Sequence, residues 1–139
     1  MKDNYKAMAE GHIQYELLNS EYIQEGTEID CMEKAGNQTV HHIYKVEKII
    51  PNEYIYYLSS PSKVFIELPR KTIESKSNTY CFYNFEKIND STTSLQLTIA
   101  IQFGSGFEKF YSTLFGGIAP WKKHQKEEME KLKKLIENK

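Results

Sequence analysis

The longest unbroken alternation in the chain runs from Thr92 to Phe103. Leu95, Leu97, Ile99, Ile101 and Phe103 fall on odd positions there, and Ser94, Gln96, Thr98 and Gln102 on even ones. A period of two is that of a strand with one wet face, so this segment is predicted to be a long antiparallel strand. Tyr80 to Ile88 precedes it, and the turn formers Asn89-Asp90-Ser91 between them predict a hairpin. The same logic places strands at Thr27 to Lys34 and Gln38 to Ile50, around Ala35-Gly36-Asn37. A further strand follows at Tyr54 to Leu58, after the turn Pro51-Asn52-Glu53, and His12 to Ile23 reads as another, closed by Glu25-Gly26. Between Pro61 and Ser77 the pattern weakens. Val64-Phe65-Ile66 suits a short strand, whereas Pro69-Arg70-Lys71 and Ser75-Lys76-Ser77-Asn78 predict interruptions.

Beyond Phe103 the period changes. Phe107, Phe110, Tyr111, Leu114 and Phe115 stand at i, i+3, i+4, i+7 and i+8, an amphipathic helix whose stripe is expected to face the core. Gly116-Gly117 and Pro120 then interrupt it, and a second helix is predicted from Ala119 to Glu137, with Pro120 in its first turn, where its missing N–H costs nothing. Ile118, Trp121, Met129, Leu132, Leu135 and Ile136 are assigned to its inner side. The alternating charges from Lys122 onward, with Glu127 four residues before Lys131, read as its solvated face. The expectation is a single α+β domain: a remnant N-terminal helix over residues 1–11, an antiparallel meander of about six strands over 12–103, and a kinked C-terminal helix over 106–137 that the curved sheet grips.

Composition narrows the function classes. The 139 residues suit one core, and Lys+Arg 18 against Asp+Glu 19 leaves no basic field for nucleic acid. No apolar run is long enough for a signal segment or a membrane span, so a cytoplasmic location is expected, with Cys31 and Cys81 kept as thiols. The chain carries 10 Tyr among its aromatics. Each ring packs in apolar surroundings while its hydroxyl looks for a partner, which suits the wall of a ligand cavity.

Several short stretches, taken in order, carry a family likeness. They are Asp3-Asn4-Tyr5 followed by His12, Glu25-Gly26-Thr27 before a strand ending in Glu33, Tyr44-Lys45-Val46 leading into Ile49-Ile50-Pro51-Asn52, and Trp121-Lys122-Lys123-His124-Gln125-Lys126-Glu127-Glu128. The chain resembles the START-like helix-grip superfamily, also called SRPBCC, and in particular its small polyketide-cyclase/dehydrase-like members. That resemblance implies a hydrophobic cavity beneath the C-terminal helix. It also implies that the first strand and first helix of the family are missing here. The strand Thr92 to Phe103 would then be an open edge, and either self-association through it, blunting by its own residues or a shortened N-terminus is expected to account for it.

Candidate chemistry is sparse. Parity with Val40, Tyr44 and Val46 turns His42 inward rather than His41, and Glu33 shares the parity of Ile29 and Cys31; with His12 these are the candidate acids and bases. His124 is expected to make a surface contact or to cap the rim of the sheet. No His or Cys spacing matches a known ligand set, so neither a metal nor a cofactor is expected. Gly104-Ser105-Gly106 is an incomplete phosphate loop and reads as a helix-entry turn. The expected lining of the cavity is Tyr15, Ile29, Cys31, His42, Tyr44, Tyr57, Tyr83, Phe85, Ile99, Ile101, Phe103 and Trp121. Binding of a small hydrophobic molecule is the leading reading. A cyclase- or dehydratase-type enzyme using His12, Glu33 or His42 comes second, and an interaction module whose aromatics fill the cavity comes third.

Overall fold

The computed structural model describes residues 11–137, without the Ser60 side chain, so the expected N-terminal helix and the Asp3-Asn4-Tyr5 stretch lie outside the described residues. Six strands follow one another: β1 (His12–Leu17), β2 (Glu28–Ala35), β3 (Gln38–Ile50), β4 (Tyr54–Leu68), β5 (Lys71–Asn89) and β6 (Thr92–Phe103). They form one antiparallel sheet in the order β1-β2-β3-β4-β5-β6, each strand pairing with its neighbours in sequence. A short helix α1 (Gly106–Tyr111), a π turn (Ser112–Gly116) and the 19-residue C-terminal helix α2 (Ala119–Glu137) complete an α+β domain.

The meander depends on its turns. Gly36 takes φ +61° between β2 and β3, and Asn52 takes φ 64° between β3 and β4, conformations that Gly and Asn tolerate better than other residues. β1 ends at Leu17, earlier than its apolar pattern suggests. From there Asn19 donates to the Gly26 carbonyl and accepts from the Glu28 N–H, and Thr27 Oγ1 accepts from the Gln24 N–H. These side chains replace ladder bonds and close a loop over 18–27.

The segment Pro61 to Ser77, expected as broken strand and loops, is instead the far half of β4, a two-residue Pro69-Arg70 turn and the start of β5. Pro61 does not end the strand because it lies in a bulge. The pairing of β4 shifts between Ser59 and Ser62 toward β5, and opposite His41 to Tyr44 toward β3, so no ladder bond is asked of the proline nitrogen. The bulge also reverses parity: Ser59 and Ser62 are both fully buried on one face.

The core is small and split. Ile29, Cys31 and Val46 form one cluster with Tyr44 and Tyr57 packed around it, and Val40, Val64 and Ile66 form a second beneath Trp121. The apolar stripe of α1 and the π turn joins neither. Phe107 is 69% exposed, Phe110 58% and Leu114 60%, so the core role expected of this stripe is not observed. Its rings pack on each other instead, with Tyr111 4.5 Å from Phe107 and 5.4 Å from Phe115 between ring centres. The inner face of α2 also differs from expectation. Ile118, Leu135 and Ile136 are exposed, while His124 and Glu128 are the buried residues of the helix. Trp121, His124, Gln125 and Glu128 follow the i, i+3, i+4, i+7 spacing of one face, so this helix lays a largely polar stripe on the sheet.

Candidate functional site

A cavity of about 680 Å³ lies between the sheet and the C-terminal segments, within the range of roughly 300–1,000 Å³ usual for ligand pockets. Alternation decides which side chains reach it. Register pairs Cys31 with His42 and Ile29 with Tyr44 on β2 and β3, Tyr57 with Cys81 on β4 and β5, and Tyr83 with Leu97, Cys81 with Ile99, Thr79 with Ile101 and Ser77 with Phe103 on β5 and β6. Tyr15, Ile29, Cys31, His42, Tyr44, Tyr57, Tyr83, Ile99, Ile101, Phe103 and Trp121 all border the space, and Glu33 joins them. Phe85 does not. It lies two residues past Tyr83 on the same face of β5, opposite Leu95 and beyond the cavity wall.

The tyrosines make a ladder across the strands. Tyr44 and Tyr57 meet edge to face at 6.2 Å, as do Tyr57 and Tyr83 at 5.9 Å, an arrangement favoured by the ring quadrupoles. Burial pushes the phenols of Tyr44, Tyr57 and Tyr83 above their ordinary range and that of Tyr15 up to about 12, so all four remain protonated donors. Burial likewise raises the Cys81 thiol, which leaves it unactivated as a nucleophile, and neither buried cysteine is in a disulfide.

His42 sits at the floor. Its ring stacks on Tyr44 at 4.5 Å, and its Nδ1 shares a 2.8 Å hydrogen bond with Ser62, which continues through hydroxyls to Ser59 at 2.6 Å and Thr79 at 3.3 Å. Burial lowers its pKa to about 4, outweighing the opposing pull of Glu33, so His42 is neutral at physiological pH. His41 points to the other face, where its Nε2 meets Asp30 at 2.6 Å.

The polar end of the cavity is built by α2. Glu128 is buried, and its Oε1 accepts from the Tyr83 hydroxyl at 3.1 Å; Gln125 donates to the Leu97 carbonyl at 3.1 Å. Burial, reinforced by the Glu33 charge and only partly offset by the Tyr83 bond, lifts the Glu128 carboxyl to about 7. His124 is buried rather than at a surface contact, with its pKa lowered chiefly by desolvation. Its ring lies against Trp121 at 5.7 Å and His12 at 4.9 Å, and its Nε2 is 3.8 Å from Glu33 Oε2.

His12 and Glu33 are direct register partners across β1 and β2. The bulge between His12 and Gln14 puts His12 on the face of Tyr15 although their sequence parities differ. One nitrogen of His12, one carboxylate oxygen of Glu33 and one nitrogen of His124 thus lie within 4.8 Å of one another. Of the candidate acids and bases, His12 and Glu33 are brought together, while His42 stands apart on the cavity floor. Glu128 had no signal in the sequence, because it lies within a run of alternating charges. Only the helix's placement on the sheet singles it out.

Comparison with family models, curated proteins and solved structures finds no match. Among the described residues, no helix is long and apolar enough to cross a membrane.

Proposed function

We propose that this protein binds a small, largely apolar molecule in the cavity between sheet and C-terminal helix, as a START-like helix-grip domain of the polyketide-cyclase-like kind would. The observation that carries the reading is the character of that wall. Tyrosine and tryptophan rings and the side chains of Val40, Val64, Ile99, Ile101 and Phe103 line one space, and polar groups border it as well, among them Glu33, Gln38, His42, Lys109, Lys122, His124, Gln125 and Glu128. An apolar body of the ligand would lie on the rings, and one polar group would be oriented at the end where Tyr83 and Glu128 meet. An unfilled volume of about 680 Å³ weighs against the reading in which the aromatics close the cavity.

A second reading, proton transfer of the cyclase or dehydratase kind, is favoured by one feature. Glu128 holds a buried carboxyl whose pKa near 7 suits an acid or base at physiological pH. Association of two copies through β6, which has β5 as its sheet partner among the described residues, belongs to the same proposal.

Titration with an environment-sensitive apolar dye tests the binding reading. One saturable site is expected in the native chain, and its loss is expected in Ile99→Trp, which fills the cavity from a half-exposed position. Dye uptake unchanged by that substitution would place binding elsewhere.

A further inference from the structure

We infer that His12, Glu33 and His124 form a binding site for a divalent transition-metal ion of borderline softness, zinc being the type, with one coordination position open toward the cavity. The ligand set is two imidazoles and one carboxylate, which suits zinc and its neighbours and, at three protein ligands, leaves the fourth position of a tetrahedral site to water or another oxygen donor. The three donor atoms lie within 4.8 Å of one another. Ligand bonds of about 2.0–2.2 Å would hold them about 3.4 Å apart, so an ion needs to draw them inward by about an ångström, within reach of side-chain rotation.

Three further observations support the site. His12 and Glu33 are register partners on adjacent strands, so two of the donors are positioned by the sheet. The third, His124, is 7% exposed, and its Nε2 has no hydrogen-bond partner among the described residues while it faces Glu33 Oε2 at 3.8 Å. A buried imidazole nitrogen aimed at a carboxylate beyond hydrogen-bond distance is placed so that an ion could bridge the two. The approach of α2 is also tight: a Cβ at Gly11 would run into the Lys34 carbonyl oxygen first and would also meet the His124 ring at 2.9 Å, so the glycine before β1 leaves room for both. Glu33 and His124 border the cavity whereas His12 does not, which puts the open position on the cavity side.

The site stands on these three side chains and does not depend on apolar binding. The test uses the full chain with Zn2+ and Co2+ as probes. One equivalent of Zn2+ is expected to bind, and X-ray absorption of the loaded native protein is expected to show two imidazole nitrogens and a carboxylate oxygen at about 2.0–2.2 Å. Co2+ should give the intense visible bands of a four-coordinate ion and be displaced by Zn2+. His124→Ala and Glu33→Gln should each weaken binding by more than the roughly 10- to 100-fold that loss of a supporting residue costs, and His41→Ala, outside the cluster, should not change it. Absence of stoichiometric binding to the native chain, an absorption spectrum without two imidazoles, or affinity lost in His41→Ala but kept in His124→Ala would each overturn the inference. A metal bound without dye uptake would defeat the apolar reading and leave this one standing.

Discussion

The Tyr83 hydroxyl donates to Glu128 Oε1 at 3.1 Å, a bond that fastens the inner face of the C-terminal helix to the fifth strand of the sheet. Both partners are buried, and that burial shifts the carboxyl toward its protonated form.

That burial sets a pH dependence. The folded Glu128 carboxyl titrates near 7 and the unfolded one near 4.5, so the folded state holds the extra proton between these values. The stability it confers is full below about 4.5 and is lost as pH rises through about 7. Glu128→Gln, which cannot ionise, is expected to gain on the native protein as pH rises through that window, by up to about 3 kcal/mol at the alkaline end. Urea midpoints at several pH values check this, and a difference that stays constant with pH would contradict it.

His42 has the opposite sign. Its folded pKa near 4 lies below the ordinary 6.5, so the folded state carries fewer protons and stability is lost as pH falls through that interval. The His42 ring resonance in NMR is therefore expected to keep its neutral position down to about pH 5, since burial and the Ser62 bond hold the uncharged form. A ring that titrates near 6.5 would show that the floor of the cavity is wet.

Gly117 takes φ 71° and ψ 167°, a region open essentially only to glycine, at the junction between the π turn and α2. The junction is held in place by Asn37, which donates to the Phe115 carbonyl, and by Gln38, which donates to the Gly117 carbonyl at 2.9 Å. Gly117→Ala should cost about 1–3 kcal/mol and lower the melting temperature accordingly. A melting temperature equal to the native one would mean that the junction readily adopts another backbone path.

The exposed stripe on α1 and the π turn makes a contrasting forecast. Phe110→Lys is expected to change stability by no more than about 0.5 kcal/mol, because Phe110 is 58% exposed and belongs to neither core cluster. A loss of several kcal/mol would restore the core role that helical spacing suggested.

Much of the sheet was legible because a strand's period survives in sequence: Gln38 to Ile50 and Thr92 to Phe103 run as the alternation drew them. Parity also put Tyr44, Tyr57 and Tyr83 on the face that borders the cavity. It failed at bulges. Pro61 broke the apparent strand, and the irregularity after His12 turned that residue onto the face of Tyr15, which no count of odd and even positions foresees. The helices misled for a different reason. Hydrophobic spacing identifies a buried face only when that face is apolar, and α2 buries His124 and Glu128 while α1 leaves its phenylalanines in solvent. The cluster of His12, Glu33 and His124 draws one residue from each of three elements, so no local spacing announces it.

The central claim, that the cavity holds a small apolar molecule, is tested most directly by native mass spectrometry of the protein purified gently from cells. The expected result is a discrete added mass that disappears on denaturation, is extracted into organic solvent and is absent from Ile99→Trp. A spectrum of the bare chain alone, together with no uptake of apolar compounds added afterwards, would contradict it.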